Sequence, residues 1–137
     1  MDNNKQKHLE FIQNNISRLA NHSFLIKGWA VTLIAGIFSL SSKESNQVYF
    51  IVAYIPILMF WCLDAYYLLE ERLFRALYDK VRKTESQSVD YCMDITNADL
   101  HLSPNTYYDC WKSKSILCFY LPLALLTITV TLLSTAI

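Results

Sequence analysis

An all-α integral membrane protein with three transmembrane helices is the fold expected of this chain, on three observations. Hydrophobic residues make up 53% of 137 positions, charged residues only 18%, and there are just two glycines. The apolar residues are gathered into three runs, each close to the roughly twenty residues that cross a hydrocarbon core as a helix. None of the runs has the short alternating segments of barrel strands, so only helices can satisfy the backbone in lipid.

Residues 1–23 are polar but helix-patterned: Leu9, Ile12, Ile16 and Leu19 fall on one face between Lys5 and Ala20. They are expected to form a cytosolic amphipathic helix. No small-residue cleavage site follows the apolar run, so this stretch does not read as a signal peptide. No breaker separates it from the first span, 24–42 (FLIKGWAVTLIAGIFSLSS), and one helix about 60 Å long is expected through both. Residues 43–47 (KESNQ) form an outer turn, and the second span follows at 48–69 (VYFIVAYIPILMFWCLDAYYLL), where Pro56 is tolerated with a kink.

Residues 70–114 are expected to be a cytosolic helical extension and loop. Leu73, Phe74, Leu77, Tyr78 and Val81 recur at i, i+3 and i+4, and Glu71 with Arg75 forms an i, i+4 pair. This extension and residues 1–23 should pack as a cytosolic coil. From TESQSVD to LHLSPN the pattern lapses into turns, and Ser103 with Pro104 reads as a cap leading through NTYYDCWKSK into the third span, 115–137, which contains Pro122.

Twelve acidic and twelve basic residues give a formal net charge of +0, which argues neither for nor against nucleic acid. Their distribution is informative. Lys5, Lys7, Arg18 and Lys27 precede or open the first span, and Arg72, Arg75, Lys80, Arg82, Lys83, Lys112 and Lys114 lie between the second and third, while the short turn holds Lys43. The positive-inside rule then predicts a cytoplasmic N-terminus and 70–114 segment, with the C-terminus periplasmic or extracellular. Trp29, Trp61, Tyr66, Tyr67 and Trp111 fall near the inner interface, where amphipathic rings settle.

Asp64 lies within the second span, where an isolated charge costs at least about 2.5 kcal/mol. Lys27 lies sixteen residues before Lys43, and Asp64 seventeen after Gln47. At about 1.5 Å per residue both sit about 25 Å from the outer turn. Opposite charges at one depth on antiparallel neighbours can pair within or between subunits; alternatively, each snorkels to the inner headgroups. A proton or ion relay would need further titratable groups alongside.

Gly28, Thr32 and Gly36, with Ala35 and Ser39 beside them, form a small-residue strip that lets another helix approach, within the hairpin or between protomers. Thr127, Thr131 and Ser134 or Thr135 share one side of the third span, and either bond their own helix or line a pore. The charged residues of the extension, Glu71, Arg72, Arg75 and Arg82, read as a solvated face in preference to a nucleotide or RNA site. There is no phosphate loop, zincin motif or nucleophile elbow, so no enzyme activity, cofactor or metal is expected. Cys62, Cys92, Cys110 and Cys118 lack ligand spacing, and His8 and His101 are isolated.

The stretches ISRLANHSFLIKGWAVTL and FWCLDAYYLLEERLFRALYDKVR resemble the RipA-like octameric membrane proteins of bacteria, which are distantly similar to pore-forming accessory proteins of type VI CRISPR systems. The resemblance rests on Arg18, Asn21, Phe24, Lys27, Gly28 and Trp29, then Trp61, Asp64, Tyr66, Tyr67, Glu71, Arg72, Arg75, Tyr78 and Arg82. It covers residues 8–83, with a third span beyond. It implies a homo-oligomeric ring, an octamer, in the bacterial inner membrane, and a role in antiphage defence through membrane permeabilisation. The accessory proteins carry a larger cytosolic part and a HEPN-like motif; here Arg18 and His22 are one residue closer than that R-x(4–6)-H signature allows. The expected partners are the lipid bilayer, further copies of the chain and a cytosolic defence protein, with no direct contact to nucleic acid. The expected activity is a regulated pore or permeabilising effector; the alternative is a non-conducting scaffold or sensor that docks a cytosolic effector.

Overall fold

The computed structural model describes residues 3–44, 48–96, 100 and 105–136, and among them it is helical with no strand. Helix α1 (Asn3–Glu44) runs unbroken for 42 residues and α2 (Val48–Lys83) for 36. A 3₁₀ turn (Ser86–Ser88), the short α3 (Tyr107–Trp111) and α4 (Lys114–Ala136) follow. Helix α1 contains no proline and only two glycines, so nothing in it opposes a rod of about 60 Å. Pro56 and Pro122 lie inside α2 and α4, each removing one backbone donor without ending its helix.

Helix α2 ends where Thr84 folds back, its N–H reaching the Lys80 and Val81 carbonyls (3.2 and 3.3 Å) and its hydroxyl the Lys80 carbonyl (2.8 Å). Lys80, Arg82 and Lys83 in the last turn offset the negative end of the helix dipole. The expected continuous approach to the third span is divided instead. Helix α3 stops at Trp111, and the Ser113 carbonyl accepts the Ile116 and Leu117 N–H groups (3.1 and 2.9 Å), opening α4 as a separate helix. The Ser103–Pro104 cap, His101 and positions 45–47 of the outer turn lie outside the described residues, as do the side chains of Lys43, Ser134 and Thr135.

The chain divides into two compact units. The first comprises Met1–Ser23 and Tyr66–Cys110. Its core packs Leu9, Ile12 and Ile16 of α1 with Leu73, Leu77 and Val81 of α2 and with Leu100. Val89, Met93 and Ile95, from the irregular strap after the 3₁₀ turn, pack on this core. Buried Lys5 ties the strap's start to α1, its ammonium donating to the Arg82 and Thr84 carbonyls at 3.2 and 2.6 Å.

The second unit comprises Phe24–Ala65 and Trp111–Ile137. Here Ile26, Ala30 and Ile34 of α1, Ala53, Ile57 and Ala65 of α2, and Ile116 and Tyr120 of α4 are buried. The molecule holds three helices long and apolar enough to cross a membrane, and their most apolar windows are only 11, 22 and 17% buried inside the chain. Leu58, Met59, Leu125, Leu126 and Leu132 are each more than half exposed. Water would penalise that surface by about 25 cal/mol per Å², whereas hydrocarbon would not. The arrangement is consistent with a membrane location.

Candidate functional site

The most polar place inside the second unit is built by one residue from each of its three long helices. Lys27 of α1 brings Nζ to 2.5 Å from Oδ2 of Asp64 on α2; the Asp64 side chain is wholly buried and that of Lys27 is 19% exposed. Tyr120 of α4 is also fully buried, and its hydroxyl faces both the Asp64 carboxylate and the Phe60 carbonyl, 3.2 Å away. The Lys27 ammonium lies 6.0 Å from the centroid of the Phe119 ring. The carboxylate thus meets an ammonium and a phenol, and the cluster is neutral as a whole. Removing charges from a polar solvent consumes most of what their attraction returns, so such a pair holds helices in register more than it adds net stability.

Tyr120 was not legible as part of this site, because a tyrosine in an apolar run reads as an interface aromatic. Depth is the signal that finds it: Tyr120 stands six residues beyond Lys114 and Asp64 six before Glu70, so on adjacent spans the two are level. A stack of rings accompanies the cluster. Trp61 lies between Trp111 (centroids 5.0 Å apart, 17° between planes) and Tyr120 (5.9 Å, 11°), and its Nε1–H donates to the Trp111 carbonyl at 3.2 Å. This anchors the start of α4 to α2.

Gly28, Thr32 and Gly36 are all exposed, and a side chain added at either glycine would meet no atom within 4 Å. The Thr32 hydroxyl is satisfied by the Gly28 carbonyl (2.9 Å). The strip therefore faces outward and does not pack within the hairpin. In α4 the hydroxyls of Thr127 and Thr131 donate to the carbonyls one turn back, Leu123 at 2.9 Å and Thr127 at 2.7 Å. Thr127 is fully buried inside the unit; Thr131 is half-buried.

Among the charged residues of the first unit, Arg75 grips Glu71 through Nη2 (2.7 Å) and Nε (2.9 Å), and Arg82 pairs with Asp79 at 3.3 Å, both side chains more than half exposed. Such pairs contribute about 0.2–1 kcal/mol each. Arg72 is half-buried and hydrogen-bonds the Cys110 thiol; burial pushes that thiol above its usual pKa, against the pull of the guanidinium. Arg18 donates to Asn15 Oδ1 (2.9 Å), while the His22 ring lies 5.6 Å from that of Tyr67, so the two residues of the shortened R-x-x-x-H spacing are engaged separately. Among the described residues no three His, Cys, Asp or Glu side chains come together to hold a metal.

No protein-family model, curated protein or solved structure matches the chain.

Proposed function

We propose that the chain is an inner-membrane protein of bacteria that assembles with copies of itself and acts as a regulated pore or membrane-permeabilising effector in antiphage defence. One observation supports the membrane placement: in the second unit many large apolar side chains, Leu58, Met59 and Leu132 among them, are exposed while Asp64 is buried and paired. That is the inverse of a water-soluble core, and it suits a surface solvated by lipid tails. The basic residues of 70–114 and of the N-terminal helix support a cytoplasmic first unit under the positive-inside rule. The outward-facing Gly28, Thr32 and Gly36 strip supports self-association, since small residues let backbones approach where no hydrophobic force drives helices together. The octameric ring and the defence role rest on the resemblance of residues 8–83 to the RipA-like membrane proteins.

The second reading, a non-conducting scaffold or sensor that docks a cytosolic effector, is favoured by the α4 threonines. Their hydroxyls are spent on their own helix, and Thr127 is enclosed. Purified protein reconstituted in liposomes, assayed for dye release and for current across a planar bilayer, separates the two. Conductance supports permeabilisation. A silent bilayer with an assembled oligomer, with and without cell extract from phage-infected bacteria, leaves the scaffold reading.

A further inference from the structure

Helix α4 is held unevenly along its length. Its start is fixed to α2 by the Trp61–Trp111 stack and by the Trp61 Nε1–H on the Trp111 carbonyl. In its first two turns Ile116 and Tyr120 are at most 1% exposed, and the Tyr120 hydroxyl reaches the Phe60 carbonyl and the Asp64 carboxylate. Beyond Tyr120 the hold fades. Thr127 is the one buried side chain there among the described residues, and its hydroxyl, like those of Thr129 and Thr131, bonds a carbonyl of α4 itself. Leu125, Leu126, Leu132 and Leu133 are each more than half exposed. Pro122 stands at the junction of the held and the loose part. It has no N–H, so the usual helix bond to the Cys118 carbonyl is missing, and helices bend at such a gap.

We propose that α4 is the moving helix of the second unit: its arm beyond Pro122 swings against α1 and α2, while Tyr120 latches its first two turns. A segment with few buried side chains and no hydrogen bond to its neighbours opens at low free-energy cost, and a proline gap absorbs the change of direction. In lipid no hydrophobic force draws the arm back, because the tails are as apolar as leucine. The latch behaves differently. Pulling Tyr120 away leaves its phenol without acceptors and the Asp64 carboxylate short of a donor, in surroundings that supply neither.

This inference rests on the membrane placement proposed above and names the element through which a pore or a sensor would change shape. The test uses the full chain in liposomes, with Cys62, Cys92 and Cys118 changed to Ser and buried Cys110 kept. Spin labels go on an inner pair, Leu63→Cys with Leu121→Cys, or an outer pair, Ile51→Cys with Leu133→Cys, diluted with unlabelled chain. All four positions are exposed, and each pair is level: Leu121 and Leu63 lie one residue beyond Tyr120 and before Asp64, Leu133 and Ile51 thirteen. Dipolar electron paramagnetic resonance should give an outer distance distribution at least about twice as wide as the inner one. Pro122→Ala should narrow the outer distribution, and Tyr120→Phe, which keeps the ring, should widen the inner one. Equal widths in the two pairs, or a distribution that its substitution leaves unmoved, overturn the proposal and leave the membrane placement standing. Relaxation of the labels at 121 and 133 reads that placement separately: a stronger effect of a water-soluble nickel complex than of oxygen removes it, and the proposal with it.

Discussion

In the first half of α1 one aliphatic stripe is buried and Phe11 stands outside it, whereas in the second half many apolar side chains are exposed. Leu9, Ile12, Ile16 and Leu19 are at most 9% exposed, whereas Phe24, Leu25, Trp29 and Leu40 are 47% or more. The same reversal separates the two units. In the first, charges lie outside around an aliphatic core, Lys5 excepted, which caps carbonyls. In the second, leucines lie outside around a buried carboxylate. One helix carries both patterns: a single apolar stripe is what a helix facing water shows, and apolar residues all round are what a helix facing lipid would show. Apolar content alone therefore does not identify a core.

The largest expected effect breaks the contrast at its buried charge. Asp64→Ala strands the Lys27 ammonium and should cost about 3–5 kcal/mol. It would be read as a lowered thermal midpoint and lost monodispersity in detergent. Lys27→Met with Asp64→Leu should recover most of that loss; an Asp64→Ala protein as stable as the unsubstituted chain would show that the pair does not hold the helices.

A matched pair of truncations sharpens the contrast next. Ile12→Ala, in the first unit's core, should cost about 2–5 kcal/mol. Leu58→Ala, 60% exposed on the second unit, should stay within about 0.5 kcal/mol in detergent. Equal losses in chemical denaturation would mean that the exposed apolar side chains of the second unit are packed after all.

Smaller again is Lys5→Met, which removes a buried cation from the Arg82 and Thr84 carbonyls and should cost about 1.5–3 kcal/mol. The check is faster hydrogen exchange in the last turn of α2, with the second unit unaffected.

The smallest effect is a pH dependence confined to the first unit. The Thr96 hydroxyl (2.6 Å) and N–H (2.8 Å) hold the exposed Asp94 carboxyl below the usual carboxylate range. Its contribution is therefore fully present above the unfolded value of roughly 3.9 and is lost as pH falls through the lower folded value. Asp94→Asn should flatten that part of the stability profile in denaturation series at low pH.

Much of the site could be read from spacing. Lys27 and Asp64 are equidistant from a short turn, and the Leu9–Leu19 and Leu73–Val81 stripes carry the helical period, so helix geometry brought each set to one level or one face. What spacing missed were features that depend on a third element. Tyr120 joins the cluster only because α4 packs there, and at the Lys112–Ser113 break the Ser113 carbonyl opens a new helix beside the stacked Trp61 and Trp111. The spacing of Thr127 left open both a bond to a carbonyl one turn back or a neighbouring helix and a place on a lumen.

The sequence by itself determined three runs of membrane-spanning length, the helical register of their flanks and the segregation of basic residues, because these are local properties of 3.6-residue geometry and solvent affinity. Only the tertiary structure decided which flank of each helix meets another. That choice turned the Gly28–Thr32–Gly36 strip outward, enclosed Thr127 and completed the Lys27–Asp64 pair with a phenol, since packing against a particular neighbour is not encoded in the period of any one helix.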